Sequence, residues 1–259
     1  MTDRLVKADR HEAILTLTID RAPVRNALNE QVMTELRDQL LAAPREAGLR
    51  AIVITGAGER AFCAGADLKP GAQTFVQDPS IPNTAYSDLL RAAACCTVPL
   101  IARVNGHCLA GGMGVLAMCD MAVAVADASF GLPEVKVGVF PMQVAALLQS
   151  ILPRRKFDEM CITGEPLTAN EALACGLVNY VVERDELDAR VTWLLKRIIS
   201  KSPTAIRRGK YALQAIRDMT LPQALSYMEG QIVSLALTED AREGLAAFND
   251  KRAPRWTGR

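Results

Sequence analysis

Much is scarce in this sequence, and each scarcity removes a class of protein. Its 259 residues include two histidines, His11 and His107, so any imidazole chemistry has to use one of them. The seven cysteines (Cys63, Cys95, Cys96, Cys108, Cys119, Cys161 and Cys175) are odd in number and form no C-x-x-C pair. That argues against a disulfide frame and a zinc site, and for reduced core thiols in a cytosolic, cytoplasmic protein. The opening MTDRLVKADRHE has no apolar region of the kind a signal peptide carries. The most apolar stretch, from Cys108 onward, is cut by Asp120 and Asp127, which leaves it too short for a membrane span. Charged residues make up 23% of the chain and nearly cancel, at a net +1, which excludes a disordered chain and a wholesale nucleic-acid binder. No internal repeat and no low-complexity tract is visible.

What is present is apolar bulk and order. Half of the residues are hydrophobic, enough for one large core or a core with a small appended element. AILTLTID (13–20) alternates as a strand does; Asn29 is placed to cap a helix running to about Ala43, with Leu36 and Leu40 on one face. RAIVITG (50–56), VPLIARVNG (98–106) and MAVAVADASFG (121–131) read as buried strands, and residues 83–96 as a helix. The stretch 70–82, with Pro70, Gly71, Pro79 and Pro82, reads as flexible. VFPMQVAALLQSIL reads as a helix with proline in its first turn, and helical periodicity dominates from Leu167 to Asp250. The order is strand–strand–helix, repeated, then a helical tail. That is an α/β (α+β) chain with one plausible boundary near 195–203, dividing a core of 1–199 from a helical region of 200–259. The charge turns there too: from Lys196 onward twelve Lys/Arg face six Asp/Glu, and before it eighteen face twenty-three.

The candidate chemistry lies in two glycine-bearing loops. GHCLAGGMGVLAMCD (106–120) runs from paired glycines into a small-residue helix, and the first turn of a helix presents unpaired N–H groups with a partial positive charge. Gly111 and Gly112 let a ligand approach them closely, although tight helix packing is an equally ordinary use of such a pair. CAGAD (63–67) follows another strand and again offers bare backbone, at Gly65 and Ala66. Together the loops can aim two N–H donors at one developing oxyanion, each donor being worth about 3–4 kcal/mol in a transition state. Two rivals stand beside this reading. Gly112, Gly114 and Ala117 fit G-x-G-x-x-A, with Glu134 twenty residues past Gly114, but the strand reads as ending near Val104, leaving too long a turn for a dinucleotide site. Cys63 and His107 would form a thiol–imidazole pair if the loops converge, though nothing marks Cys63 as activated.

AFCAGADLK, VNGHCLAGG, the CD at 119–120, FGLPEVKVG and EGLAAFNDKRAP, in this order and spacing, resemble the enoyl-CoA hydratase/isomerase, or crotonase, family over nearly the whole chain. The resemblance implies a crotonase-type spiral of ββα units, C-terminal helices that build a homotrimer or a dimer of trimers, and an acyl-CoA substrate. It implies no metal, no cofactor beyond the coenzyme A of the substrate, and no nucleic-acid or membrane partner. By motif position, the N–H groups of Ala66 and Gly111 would hold the thioester oxygen as it becomes enolate-like. Family hydratases use two glutamates; one matches Glu134, while the other position is Gly114. A lone carboxylate can move a proton from one carbon to another, so the departure favours double-bond isomerisation over hydration. A hydratase of branched or glutaconyl-type thioesters, with help from His107 or Asp88, and a non-catalytic acyl-CoA binder are the alternatives. Arg25, Ala64, Lys69, Gly112 and Met142 would line the substrate, and Lys251 would reach a neighbouring subunit's CoA. Met142 stands where typical hydratases have a small residue and is expected to fill that space. Phe75, Met113 and Phe140 are further candidates for the acyl pocket. Asp67 is expected to bond nearby backbone amides, and Asp120 to close a helix-to-strand turn. RRGK (207–210) reads as a mixed-charge helix face more readily than as an RNA patch.

Overall fold

The structure, a computed structural model, describes residues 4–67, 80 and 82–259. The chain opens with an antiparallel hairpin, β1 (Val6–His11) and β2 (Ile14–Ile19), registered Val6 to Ile19 and His11 to Ile14. In β2 the pleat turns Leu15, Leu17 and Ile19 into the core, which is the alternation legible in the sequence. β1 left no such signal. It is a sheet edge, exposed from Lys7 to His11, and its charged residues blunt that edge. α1 (Glu30–Ala42) starts where Asn29 accepts a 2.9 Å hydrogen bond from the Val32 amide, and it buries Val32, Leu36 and Leu40.

Three strand–strand–helix turns follow: β3 (Ala51–Gly56), β4 (Ala61–Cys63) and α2 (Ala85–Cys95); β5 (Leu100–Val104), β6 (His107–Leu109) and α3 (Gly111–Ala117); β7 (Met121–Val125), β8 (Ser129–Gly131) and α4 (Met142–Leu148). The first strand of each pair joins a six-stranded sheet, ordered β1-β2-β3-β5-β7-β10, and the second joins a four-stranded sheet, ordered β4-β6-β8-β9. Each turn therefore advances one strand along both sheets, which is a spiral. β3 is buried along its whole length and reads as a continuous apolar run, as expected for parallel strands covered on both faces. The span 121–131 is not one strand. It breaks at Ala126–Ala128, where the Ala126 amide turns to the Val182 carbonyl and Asp127 takes both oxygens to Arg184. Pro141 stands at the N-cap of α4, one position earlier than the sequence suggested.

The remainder is α5 (Arg154–Thr163), β9 (Leu167–Thr168), α6 (Ala169–Ala174), β10 (Tyr180–Val182), α7 (Leu187–Ile199), α8 (Pro203–Ala215), α9 (Leu221–Ala236) and α10 (Glu239–Asn249). β9 and β10 lay inside a stretch that reads as helical; at two and three residues they are too short to show a period. The cations of α8 are tethers to the core. Arg207 donates to the Leu49 carbonyl, and Lys210 to the Val98 carbonyl and to Asp120, the latter at 2.6 Å. Asp120 also accepts from the Leu100 amide, so it closes the turn into β5 as well as holding α8. Among the described residues, no helix is long and apolar enough to cross a membrane.

Asp240 secures the C-terminus. Only 1% exposed, it accepts from the Ser202 hydroxyl (2.8 Å), the Thr204 amide (3.3 Å), and the Thr257 and Gly258 amides (2.8 and 3.0 Å). Burial alone would raise its carboxyl, but these donors outweigh burial and hold it below the ordinary value. The depressed value means that its contribution is present above the ordinary aspartate pKa and is lost as pH falls through the lower folded value. Asp240→Ala, which strands several donors, is expected to destabilise the chain by about 1–3 kcal/mol in urea unfolding. The deficit relative to the native protein should shrink in acid.

Candidate active site

β4 and β6 are parallel neighbours, with Ala61 opposite His107 and Cys63 opposite Cys108. The loops leaving their C-terminal ends therefore emerge side by side. They touch through backbone: a Cβ at Gly65 would stand 3.0 Å from the Gly111 nitrogen and 2.6 Å from the Ala110 Cβ. Gly65 also has φ of +89°, so glycine is required there twice over. Ala110, just before α3, is itself held at φ 49°, ψ −126°, an uncommon conformation for a residue with a side chain. Its amide donates to the Gly131 carbonyl at 2.9 Å, which ties the glycine turn to β8.

The hydrogen bonds that hold the first loop leave one amide over. Leu28 bridges to Ala66: the Leu28 amide donates to the Gly65 carbonyl (2.7 Å) and the Asp67 amide to the Leu28 carbonyl (2.9 Å). The Ala64 amide donates to the Arg25 carbonyl (3.0 Å). Extended backbone alternates, so the Ala66 N–H turns away from Leu28, and among the described residues it meets no acceptor. The Gly111 N–H, first in α3, has none either. Two free amides thus sit on two loops in contact, and an anionic oxygen reached by both would be stabilised without any rearrangement.

Buried polar side chains pin this geometry from behind. Asn26 donates to the Ala57 and Ala61 carbonyls at 3.0 and 2.7 Å, and Asn105 to the Gly58 carbonyl at 2.7 Å while accepting from the Gly56 amide. Between them they clamp the 57–61 connection that leads into β4. Asp67 pairs with the guanidinium of Arg21 at 2.8 Å, both side chains largely buried. A side-chain cation is thus one partner of Asp67, and the pair locks the residue after Ala66.

Glu134 lies in the 3-10 turn Pro133–Val137 after β8. Its Oε2 is enclosed and has no hydrogen-bond partner among the described residues. Burial pushes the carboxyl above its ordinary value. Gly114, one turn into α3 from Gly111, does not leave a void. A Cβ there would overlap the Tyr86 hydroxyl and lie 3.5 Å from Val144 Cγ2. Tyr86 comes from the first turn of α2 and donates to the Gly111 carbonyl at 2.5 Å. Sequence reasoning passed over this tyrosine; nothing in AYSDLL marks it, because only the spiral brings α2 against α3.

The other expected residues scatter. Gly112 is buried, and its Cα packs on Cys63 so closely that a Cβ would collide with the Cys63 carbonyl. Met142, expected to fill the space where typical hydratases have a small residue, is instead 72% exposed; the space beside Gly114 is taken by Tyr86. Met113 is wholly buried in the core, whereas Phe140 is exposed. Lys69 and Phe75 lie outside the described residues. Lys251 is exposed at the end of α10 and forms no ion pair among the described residues. Arg25 lines an open cavity of about 400 Å³ with Arg60, His107, Asp127 and Arg184. His107 is engaged with Ser129 (2.8 Å) and Asp88 with Arg91 (2.9 Å), so neither is bonded to Glu134. A Cys63–His107 pair does not form: His107 stands opposite Ala61, and burial pushes the Cys63 thiol up to about 12. The dinucleotide fingerprint fails for a different reason than the sequence suggested. β6 does run up to the glycines, but Gly112 and Gly114 are packed against Cys63 and Tyr86 and offer no cradle.

Comparison with known proteins agrees with this architecture. The sequence model described as enoyl-CoA hydratase/isomerase matches residues 9–259. The carnitinyl-CoA dehydratase of Escherichia coli (strain K12) is 35% identical over 255 residues, covering 96% of this chain and 97% of that protein. The crystal structure of an enoyl-CoA hydratase from Bacillus anthracis superposes with a TM-score of 0.91 at 28% identity, covering 98% of this chain and all of the other. An enoyl-CoA hydratase from Mycobacterium tuberculosis H37Rv superposes with a TM-score of 0.89 at 31% identity, over 99% of this chain and 100% of the other.

The loop contact can be tested on stability. Gly65 and Gly138 share a left-handed φ, +89° and +81°, but a Cβ at Gly138 meets nothing within 4 Å. Both alanine substitutions should carry a backbone cost of about 1–3 kcal/mol. Gly65→Ala alone should add the clash with Ala110 and Gly111, so its urea midpoint should fall clearly below that of Gly138→Ala.

Proposed function

Because the chain belongs to the enoyl-CoA hydratase/isomerase family, and so processes acyl-CoA on a crotonase fold, we propose that it catalyses proton transfer at the α-carbon of an enoyl-CoA. In this reading the N–H groups of Ala66 and Gly111 form an oxyanion hole for the thioester oxygen, and Glu134 is the only carboxylate that moves the proton. The observation that carries it is the pairing of two acceptor-free amides on touching loops with a half-buried carboxylate that has one oxygen unpartnered. Glu134 takes a proton from C2 of a 3-enoyl thioester. The electron pair runs into the thioester carbonyl, and the negative charge collects on the oxygen facing the two amides. The same carboxyl then returns the proton to C4 as the double bond settles between C2 and C3. A raised carboxyl pKa suits a group that must both take and give a proton.

A second reading keeps the same hole and base but eliminates or adds water. It is supported by the Escherichia coli relative, which is named a dehydratase. It requires a second group on the leaving or attacking oxygen, and His107 and Asp88 are engaged elsewhere. The substrate handle, with Arg25, Ala64, Gly112, Lys69 and Met142 near the thioester arm and Lys251 reaching across a subunit boundary, belongs to the same proposal. So does the assembly, a homotrimer or a dimer of trimers. In α9, sixteen residues long, no residue is buried, and Leu225, Ile232 and Val233 are exposed beside Phe248 of α10, which is 82% exposed. A face of this kind is the signature of a surface that another subunit covers.

Incubation in D₂O with a panel of 2-enoyl-, 3-enoyl- and branched glutaconyl-CoA, followed by mass spectrometry, tests the chemistry. The 3-enoyl thioester should become 2-enoyl with deuterium incorporated, and Glu134→Gln should lower the rate by about 10²–10⁴-fold. Water addition without migration would favour the second reading; CoA binding with no proton exchange would leave a non-catalytic binder. The acid limb of kcat/KM should fall above the ordinary glutamate pKa. Linkage gives the sign for stability: a carboxyl raised by burial binds its proton more readily folded than unfolded, so its charge costs stability above that window and nothing below it. Glu134→Gln should therefore unfold at a higher temperature than the native protein at neutral pH, with the gap closing in acid. Light scattering should return a multiple of three chains, and Ile232→Asp should yield smaller species.

A further inference from the structure

We propose that Tyr86 decides which reaction this site runs, by filling the seat that a second catalytic carboxylate and its water would need. The proposal rests on the reading of Glu134 above and goes beyond it. Position 114 follows Gly111 by one helical turn, so a side chain there would project along the face of α3 that begins at the free Gly111 amide. That volume is taken: any Cβ at 114 would overlap the Tyr86 hydroxyl, with the ring carbon bearing it at 3.1 Å. Loss of the side chain at 114 and gain of a phenol from α2 are thus one exchange of volume.

The phenol is fixed in place. Thr84 caps α2 by accepting from the Ser87 amide at 2.9 Å, and Gln143 of α4 donates to the hydroxyls of both Thr84 and Ser87 at 2.7 Å. Tyr86 sits between those two residues, and its own hydroxyl proton goes to the Gly111 carbonyl. Burial, with nearby negative groups including Glu134 adding to it, pushes the phenol well above its ordinary value, so it stays protonated. It is therefore no base, and its one donor is already used. Adding water across C2=C3 places a hydroxyl on C3 and a proton on C2, and needs a water held and deprotonated beside C3. With the seat filled by a protonated phenol, Glu134 is left to move a proton between carbons.

Four variants in the D₂O assay, each with a thermal unfolding scan, test this. Tyr86→Phe keeps the volume and loses one hydrogen bond; its rate should fall by no more than about tenfold, with the product ratio unchanged. Tyr86→Ala opens the seat but supplies no second carboxylate, so by itself it should leave migrated product dominant. Gly114→Glu alone should unfold early or lose activity, because the new side chain meets the phenol. Tyr86→Ala/Gly114→Glu should recover the lost stability and hydrate. The idea is overturned if Tyr86→Phe abolishes turnover, which would make the phenol an acid. It is equally overturned if Gly114→Glu alone folds and hydrates, or if Tyr86→Ala/Gly114→Glu folds with an unchanged product ratio. Failure of the underlying reading looks different: Glu134→Gln would go on exchanging the substrate's protons whatever stands at position 86.

Discussion

The structure depends on one close approach, backbone against backbone, where the loop after β4 meets the loop after β6. Gly65 lies against the Gly111 nitrogen with no room for a methyl group. Two parallel strands of the small sheet deliver those loops to the same place, and the Asn26 and Asn105 side chains hold the connection that leads into β4 by its carbonyls. Such a contact tolerates little slack. A shift of an ångström would either close it by collision or move the two acceptor-free amides apart. It also explains the conformations nearby: Gly65 and Ala110 both take uncommon backbone angles because the loops must turn back on themselves at the point of contact.

Around that contact the site is economical in charge. Glu134 is half-buried with one oxygen unpartnered among the described residues, a state that costs free energy and persists because the surrounding turn is well tied. Lys136 of the same turn pairs with Glu165, and Gly164 packs under Lys136 and Val135. The neighbouring phenol adds polarity without adding charge. The proton affinity of the Glu134 carboxyl is raised chiefly by burial.

The helical tail answers a different requirement. Its cations look, in one dimension, like a basic patch; in three, Arg207 and Lys210 reach back to carbonyls and a carboxylate of the spiral, and Asp240 gathers the last residues of the chain. These bonds fix where α8 and α10 lie. They leave Leu225, Ile232 and Val233 of α9 exposed, and the proposed assembly rests on that exposure.

Several features were settled by local sequence alone. The α1 cap at Asn29, the alternation of β2, the continuous apolar β3, the strand–strand–helix order and the glycine loops all follow from side chains acting on their own backbone, over a few residues. The resemblance to the family's motifs pointed to Ala66, Gly111 and Glu134, whose roles belong to the proposed function. Tertiary structure decided what depended on distant partners. β1, β6, β9 and β10 are too short or too polar to announce themselves, and exist because a neighbouring strand accepts their hydrogen bonds. Met142 points outward and Gly112 packs on Cys63 for reasons that lie in other elements. Gly114 is the sharpest case. In sequence it is only an absent side chain; in the fold it is a space filled by Tyr86, twenty-eight residues earlier, because volume is shared across helices and no periodicity records it.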